Sequence, residues 1–342
     1  MTDEVDSTEL LKHAYDGDMT ADELQAACDD KNLDFEGPYG IVDPRCVGFS
    51  YVSYVFIKSR ENLEQGFDAS RDIFEYKHRA LMLGSVLGEY DFVHRRVDKN
   101  THRHVGFTVD AINDEDGDME FVRNAETYPI FTIGRWHGQD IDDDDMTGPT
   151  CDDLSTYEAE LLYTLIRKPN QNAHSLADAA HNRIAEKKSP SLYDTDNSDQ
   201  FKSNYQTPEE VAEHVEELEK KYKLGTAMTL NVSDTEKIHA LVGLSVKPGI
   251  ETDEKTHPHE KVMTNITDKF EGWELPYVVS GVGKAWGDIL VEVHIDEIDE
   301  MEYMAKRLRS VDGVATTKTF AITNAPFNRP YVPQSPDYLP TE

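Results

Sequence analysis

The chain has 342 residues and carries 67 Asp+Glu against 34 Lys+Arg, a formal net charge of −33. In ordinary salt such self-repulsion opposes compaction and often marks disorder. Here 38% of the chain is hydrophobic, with 16 Tyr and 13 Phe, so a core can be built. A folded protein of a halophilic, archaeal-type cell is expected, because molar salt shortens the Debye length to about 3 Å and screens the surface. The N-terminal MTDEVDSTEL lacks a basic and then apolar leader, and no run of about 18 apolar residues exists. The three cysteines, Cys28, Cys46 and Cys151, match neither a disulfide framework nor a zinc pattern. A cytoplasmic chain that neither enters nor crosses a membrane is expected.

In chain order, Ser7–Tyr15 and Thr20–Cys28 read as helices, and Phe35–Pro44 is broken by Gly and Pro. Val47–Ile57 reads as a strand, Asn62–Tyr76 as a helix and Ala80–Leu87 as a second strand. The turn Gly88-Glu89-Tyr90-Asp91 leads into Phe92–Val97. A looser stretch with Asn113–Asp118 stands where a second helix belongs, and Tyr128–Gly134 closes the group. The acidic run at Asp140–Asp145 is the clearest linker.

The second half repeats the layout. Ser155 and Glu158 form a capping box before Leu161, Leu162, Leu165 and Ile166, and Pro169 stops that helix. His174–Ile184 is the next helix. After the polar insert Ala185–Gln206, Thr207-Pro208-Glu209-Glu210 supplies an N-cap, a Pro at the first position and an acidic first turn. That helix runs to Tyr222 with Val211, Val215 and Leu218 facing a core. Ala240–Val246, His259–Phe270, Tyr277–Val282, Ile289–Ile295, Asp296–Ser310 and Val314–Thr323 then alternate as βαββαβ. The expected class is α+β: two helix-turn-helix-like segments, each followed by a ferredoxin-like domain. The boundaries are 1–34 for a degenerate helical segment, 45–138 for the first ferredoxin-like domain and 139–153 for the linker. Residues 154–224 form the second helical segment with insert 185–206, 238–325 the second ferredoxin-like domain and 326–342 a Pro-rich tail.

Thr207–Leu224, Val278–Ile295 with Gly287-Asp288, Gly88–Asp91 and the VDGVATTKTF of Val311–Phe320 together resemble the Lrp/AsnC family of transcription regulators. That resemblance implies a DNA-binding regulator that senses a small metabolite, such as an amino acid, through its ferredoxin-like domains. It also implies a homodimer or higher homo-oligomer on double-stranded DNA. A metabolite-sensing or oligomeric scaffold without DNA binding is the alternative. Two fused copies could mimic the family's dimer within one chain.

The DNA contacts would come from Arg183, Lys187, Lys188, Lys202, Thr207, His214, Lys220 and Lys221. Glu209, Glu210, Glu213, Glu216, Glu217 and Glu219 on the same helix would face a polyanion, which speaks for plain packing. Ligand contacts fall on the turn residues Gly88, Asp91, Gly281, Gly283, Gly287 and Asp288, where glycines let a backbone approach a ligand; a simple β-turn needs the same residues. His94, His102, His104, His137, His257 and His259 have no zinc-finger spacing, so no metal is expected. With no P-loop, G-x-S-x-G or H-E-x-x-H, neither catalysis nor a cofactor is expected.

Overall fold

The computed structural model describes residues 7–59 (without 17, 32, 34, 48 and 50), 80–106 (without 99), 122–141, 156–185 (without 168, 170 and 171), 208–230 (without 223), 237–283 (without 253–255) and 287–330. The chain opens with α1 (Ser7–Asp16) and α2 (Ala21–Lys31). A capping box starts α2: the Thr20 N–H donates to Glu23 at 3.0 Å, and the Glu23 N–H donates to the Thr20 hydroxyl at 3.3 Å.

The first half supplies strands β2 (Tyr51–Ser59), β3 (Ala80–Val86), β4 (Phe92–Asp98) and β5 (Val122–Trp136), which ends in the two-residue β6 (Gln139–Asp140). The second supplies β8 (Ile238–Val246), β9 (Tyr277–Gly283), β10 (Gly287–Ile295) and β11 (Val314–Asn328), with helices α6 (Pro258–Thr267) and α7 (Glu300–Arg309). Within each half the strand order is that of a ferredoxin-like sheet: β5-β2-β4-β3 and β11-β8-β10-β9. The edges then join antiparallel, β3 to β11 and β9 to β5, so eight strands close on themselves as a barrel. Closure removes the open edges that two separate sheets would present.

Alternation along the strands sorts their side chains. Tyr54 and Phe56 of β2, Val93 of β4, Tyr128 of β5, Leu241 of β8, Val279 of β9, Leu290 of β10 and Phe320 of β11 share the interior core. In the second half the intervening residues, among them Val242, Val278, Val291 and Val293, pack outward on Val262, Met263 and Ile266 of α6 and on Met304 and Leu308 of α7. Each such fully buried side chain contributes about 1.5–3 kcal/mol.

A two-stranded antiparallel ribbon, β1 (Phe35–Ile41) with β7 (Gly225–Leu230), forms a second sheet that is not paired with the barrel strands. Helices α3 (Thr156–Arg167), α4 (Ala173–Ala185) and α5 (Pro208–Tyr222) pack together through Leu161, Leu165, Leu176, Val211 and Leu218, in one core with Ile41 and Ala227 of the ribbon. Met228 and Leu230 of β7 join the core of α1 and α2 instead. The ribbon was missed in the sequence because the segment after residue 35 looked broken by Gly37 and Pro38; its pairing partner lies nearly two hundred residues on. The last strand also runs past its expected end at Thr323, through Pro326 to Asn328. The expected helix Asn62–Tyr76, the stretch Asn113–Asp118 and most of the linker and tail lie outside the described residues.

The β9–β5 seam is tight at Gly281, where a Cβ would meet the Pro129 carbonyl oxygen at 2.2 Å and the Tyr128 ring at 2.6 Å. Gly281→Ala should therefore destabilise the chain by about 1–3 kcal/mol, read as a lower midpoint in chemical denaturation. An unchanged midpoint would mean that this seam does not close the barrel as described.

Candidate functional site

Strands β4 and β10 are equivalent in the two halves, and each follows a turn aspartate. Asp91 Oδ2 accepts the Ser59 N–H and Asp288 Oδ2 accepts the Val246 N–H, both at 2.7 Å, so each ties down the end of the neighbouring strand. Four residues beyond each aspartate the same inward position holds Arg95 in one half and Glu292 in the other. Both are 0% exposed and form an ion pair inside the barrel. Glu292 also accepts from the Tyr54 hydroxyl, from His239 Nε2–H at 2.8 Å and from Asn328 Nδ2 at 3.3 Å. Arg95 Nη2 donates to Asn328 Oδ1 at 2.7 Å and to the Arg329 carbonyl at 3.0 Å, while its guanidinium carbon lies 3.4 Å from the Tyr277 ring centre and 5.1 Å from that of Trp136. Burial alone would raise the Glu292 carboxyl, but Arg95, with His239 and Tyr54 behind it, outweighs burial and holds it well below the usual carboxylate range.

Two more imidazoles complete this end of the barrel. His137 Nε2 faces the Met228 carbonyl at 3.2 Å, so it carries the proton, and Nδ1 accepts from the Tyr277 hydroxyl at 2.9 Å. His294 Nδ1 faces the Trp273 carbonyl at 3.0 Å and must donate there. Its Nε2 is then a lone pair. His239 uses Nε2–H on Glu292, and its Nδ1 points away from that bond. Burial holds His137 and His294 neutral, with pKa values pushed down to about 3. The Arg95 Nε–H, the Trp136 Nε1–H, His239 Nδ1 and His294 Nε2 are buried with no hydrogen-bond partner among the described residues. Two donors and two imidazole nitrogens thus share one sealed barrel end. Buried polar groups are otherwise almost always satisfied, so such a cluster marks a place built for something else to bind.

The ladder shows that only one end is equipped this way. His239 pairs with His294 in β8–β10, and the matching pair in β2–β4 is Val52 with Val97. Sequence reading had noted His137 among scattered histidines; strand alternation from Asp288 could have placed Glu292 and His294 on one inward face.

The turn residues sit elsewhere. Gly88, with φ +140°, and Gly287, with φ +90°, occupy left-handed backbone, and Gly281 and Gly283 lie on β9. The Tyr128 hydroxyl donates to the Asp288 carbonyl at 3.0 Å, which closes the barrel on that side. Of the expected DNA contacts, His214, Lys220 and Lys221 lie on α5 and Arg183 on α4, while Lys187, Lys188, Lys202 and Thr207 lie outside the described residues. The exposed positions of α5 are Glu209, Glu210, Glu213, Glu216, Glu217, Glu219, Lys220 and Lys221. No group of three or more metal-type side chains gathers among the described residues. His104 instead bonds Asp98 at 3.2 Å and Thr127 at 3.0 Å.

Removing the Glu292 charge strands a buried guanidinium. Glu292→Gln should cost about 3–5 kcal/mol in chemical denaturation, and a loss below 1 kcal/mol would refute the pairing. The neutral histidines make a separate prediction. Their folded pKa lies below the ordinary 6.5, so the unfolded chain takes up protons first as the pH falls. Stability should decline below pH 6.5 by about 1.4 kcal/mol per pH unit for each imidazole. Glu292, also depressed, adds its loss only below its ordinary 4.5. His294→Asn should flatten the slope between pH 6 and pH 4 by roughly one imidazole's share.

No protein-family model matches this chain, and no curated protein matches it. Solved structures do. A siroheme decarboxylase, NirDL, in co-complex with an iron-uroporphyrin III analogue is similar over 91% of this chain and 83% of its own, with TM-score 0.50 and 11% identity. A second structure of NirDL covers 95% and 93%, with TM-score 0.50 and 10% identity. The leucine response regulatory protein LrpA of Mycobacterium tuberculosis covers 53% of this chain and 100% of its own, at TM-score 0.37 and 16% identity. At such identities the likeness is one of fold. The expectation that this chain is not an enzyme does not stand, since the fold matched over nine-tenths of its length is that of a decarboxylase. The sequence motifs consulted were those of other folds, so their absence could not exclude catalysis on this one. The chain has an α+β fold of two ferredoxin-like halves, similar over more than nine-tenths of its length to the fold of a siroheme decarboxylase.

Proposed function

We propose that this protein is a decarboxylase, with the barrel end around Arg95, Trp136, His239 and His294 as its active site and a carboxylated tetrapyrrole as its substrate class. The observation that carries this reading is the set of four buried polar atoms without a partner among the described residues, gathered around the Arg95–Glu292 pair. Arg95 Nε–H and Trp136 Nε1–H would receive a substrate carboxylate. Burial away from water disfavours that localised charge and favours its dispersal as carbon dioxide leaves. The C–C bond breaks, its electron pair stays on the substrate carbon, and that carbon takes a proton. The imidazole of His294 is placed to deliver it: an incoming carboxylate raises its proton affinity, so the substrate's own charge loads it, with His239 beside it. The whole-chain likeness to NirDL supports the choice of substrate class.

A second reading, regulation by DNA and metabolite binding with ligands at the turns Gly88–Asp91 and 281–288, draws on the packed α3–α4–α5 unit. Six exposed glutamates against two lysines on α5 oppose it, because duplex affinity rests on phosphate neutralisation. We read the acid excess as adaptation to molar salt, so both assays belong in molar KCl.

The test is anaerobic incubation of the full chain with siroheme or iron-uroporphyrin III, followed by mass spectrometry of the tetrapyrrole. Loss of carboxyl groups is expected, and His294→Asn should slow it about 100-fold. Folded protein that leaves both compounds unchanged, yet retards a DNA fragment in a gel, would replace the first reading by the second.

A further inference from the structure

The site just described is closed. Trp136 and His137 are 0% exposed and His239 and His294 3%, so nothing larger than a proton reaches them without movement. What covers them is the segment that sequence reading took for an eroded helix-turn-helix. Tyr15, the penultimate residue of α1, is 2% exposed and lays its ring 4.7 Å from that of His137 and 5.7 Å from that of His294. Gly138, at φ +81°, makes room for it: a Cβ there would stand 2.8 Å from the Tyr15 ring and 3.2 Å from its Cβ. Gln139 Nε2 donates to the Tyr15 carbonyl at 3.2 Å.

Beyond this seal α1 and α2 are held separately from the barrel. Their core of Leu10, Leu11, Ala14, Leu24 and Cys28 includes Met228 and Leu230 of the ribbon and shares no residue with the barrel interior. At the rim stands a solvent-exposed pair, Lys12 with Glu271 at 4.0 Å, of the kind that contributes little. A small satellite core, joined to the barrel end through Tyr15 and the half-buried Trp273, belongs to the low-stability end of a structure and opens before the rest.

We propose that α1 and α2 form a lid on the barrel end and that Tyr15 is its sealing residue. The proposal rests on that barrel end being a site that ligands must reach. Opening lifts Tyr15 off His137 and His294 and exposes the His294 Nε2 lone pair, while the barrel and its ion pair stay intact. The element that resembles half of a DNA-reading module would thus serve as a cover for a ligand site.

The test is site-resolved carbethoxylation of the full chain by diethyl pyrocarbonate, which acylates neutral imidazole nitrogen. Peptide mass spectrometry would follow His294, with exposed His174 and with His104, buried away from this barrel end, as references. In the unaltered protein His294 should label faster than His104 and slower than His174. Tyr15→Ala and Leu11→Ala should each accelerate His294 by about tenfold and leave His174 unchanged, whereas Tyr15→Phe keeps the ring and should behave as the unaltered chain. If His294 and His104 label together in every variant, opening is global and there is no lid. An unchanged His294 rate in both truncations, with cooperative unfolding retained, would also overturn the proposal. Labelling needs no turnover, so a gated His294 in a chain inert toward tetrapyrroles would sink the decarboxylase reading and leave the lid standing.

Discussion

Arg95 and Glu292 are the constraint on which the rest of this structure turns. They occupy equivalent positions on equivalent strands, and barrel closure brings those positions together with 0% exposure. Two identical halves would place like charges there, an arrangement that desolvation makes prohibitive. One arginine and one glutamate make it possible, but only for unlike halves. A buried ion pair is a weak source of net stability, since well-packed apolar residues often do as well, yet removing one partner is severe. Its effect here is selective: it disfavours pairing of a first half with another first half and commits each to the second.

The same asymmetry gives the barrel a direction. Around Glu292 the second half contributes His239, His294, Tyr277 and Asn328, and the first contributes Tyr54, Arg95, Trp136 and His137. At the opposite, pseudo-equivalent place the ladder carries Val52 and Val97. Duplication therefore leaves one polar end and one apolar end. The ion pair orders the polar end: Glu292 consumes one nitrogen of His239 and one of Arg95, and fixes which atoms remain unspent.

Much of the fold was legible in the sequence because period-2 alternation is a local signal. β3, β4, β9, β10 and α7 follow their expected positions within a few residues. The β1–β7 ribbon was not legible, since neither strand has a nearby partner and Gly37 and Pro38 look like punctuation. The site was harder still. Its residues come from β2, β4, β5, β8, β9, β10, β11 and α1, and only barrel closure brings them together. The turn residues drew attention because Gly and Asp stand out in a sequence, but Asp91 and Asp288 spend their carboxylates on strand ends. A lone glutamate inside an apolar strand, Glu292 in ILVEVHI, was the stronger signal: burying a charge demands a partner, and a partner demands a second unusual strand position.

Charge placement separates the two functional readings on physical grounds. Among the described residues Arg95, Arg96, Arg135 and Lys237 are buried, against Asp43, Asp98 and Glu292. Among the described residues of a chain with half as many bases as acids, more bases than acids lie inside, which leaves their exposed part the more acidic. Such a surface has little to offer a phosphate backbone, whose binding depends on exposed cations and weakens steeply as salt rises. A carboxylate that enters the barrel meets the opposite situation. Repulsion at the surface is screened within about 3 Å in molar salt, while the unsatisfied Arg95 and Trp136 donors lie in a low-dielectric interior that salt does not screen. High salt therefore weakens the case for a DNA ligand and leaves the case for an anionic small molecule intact.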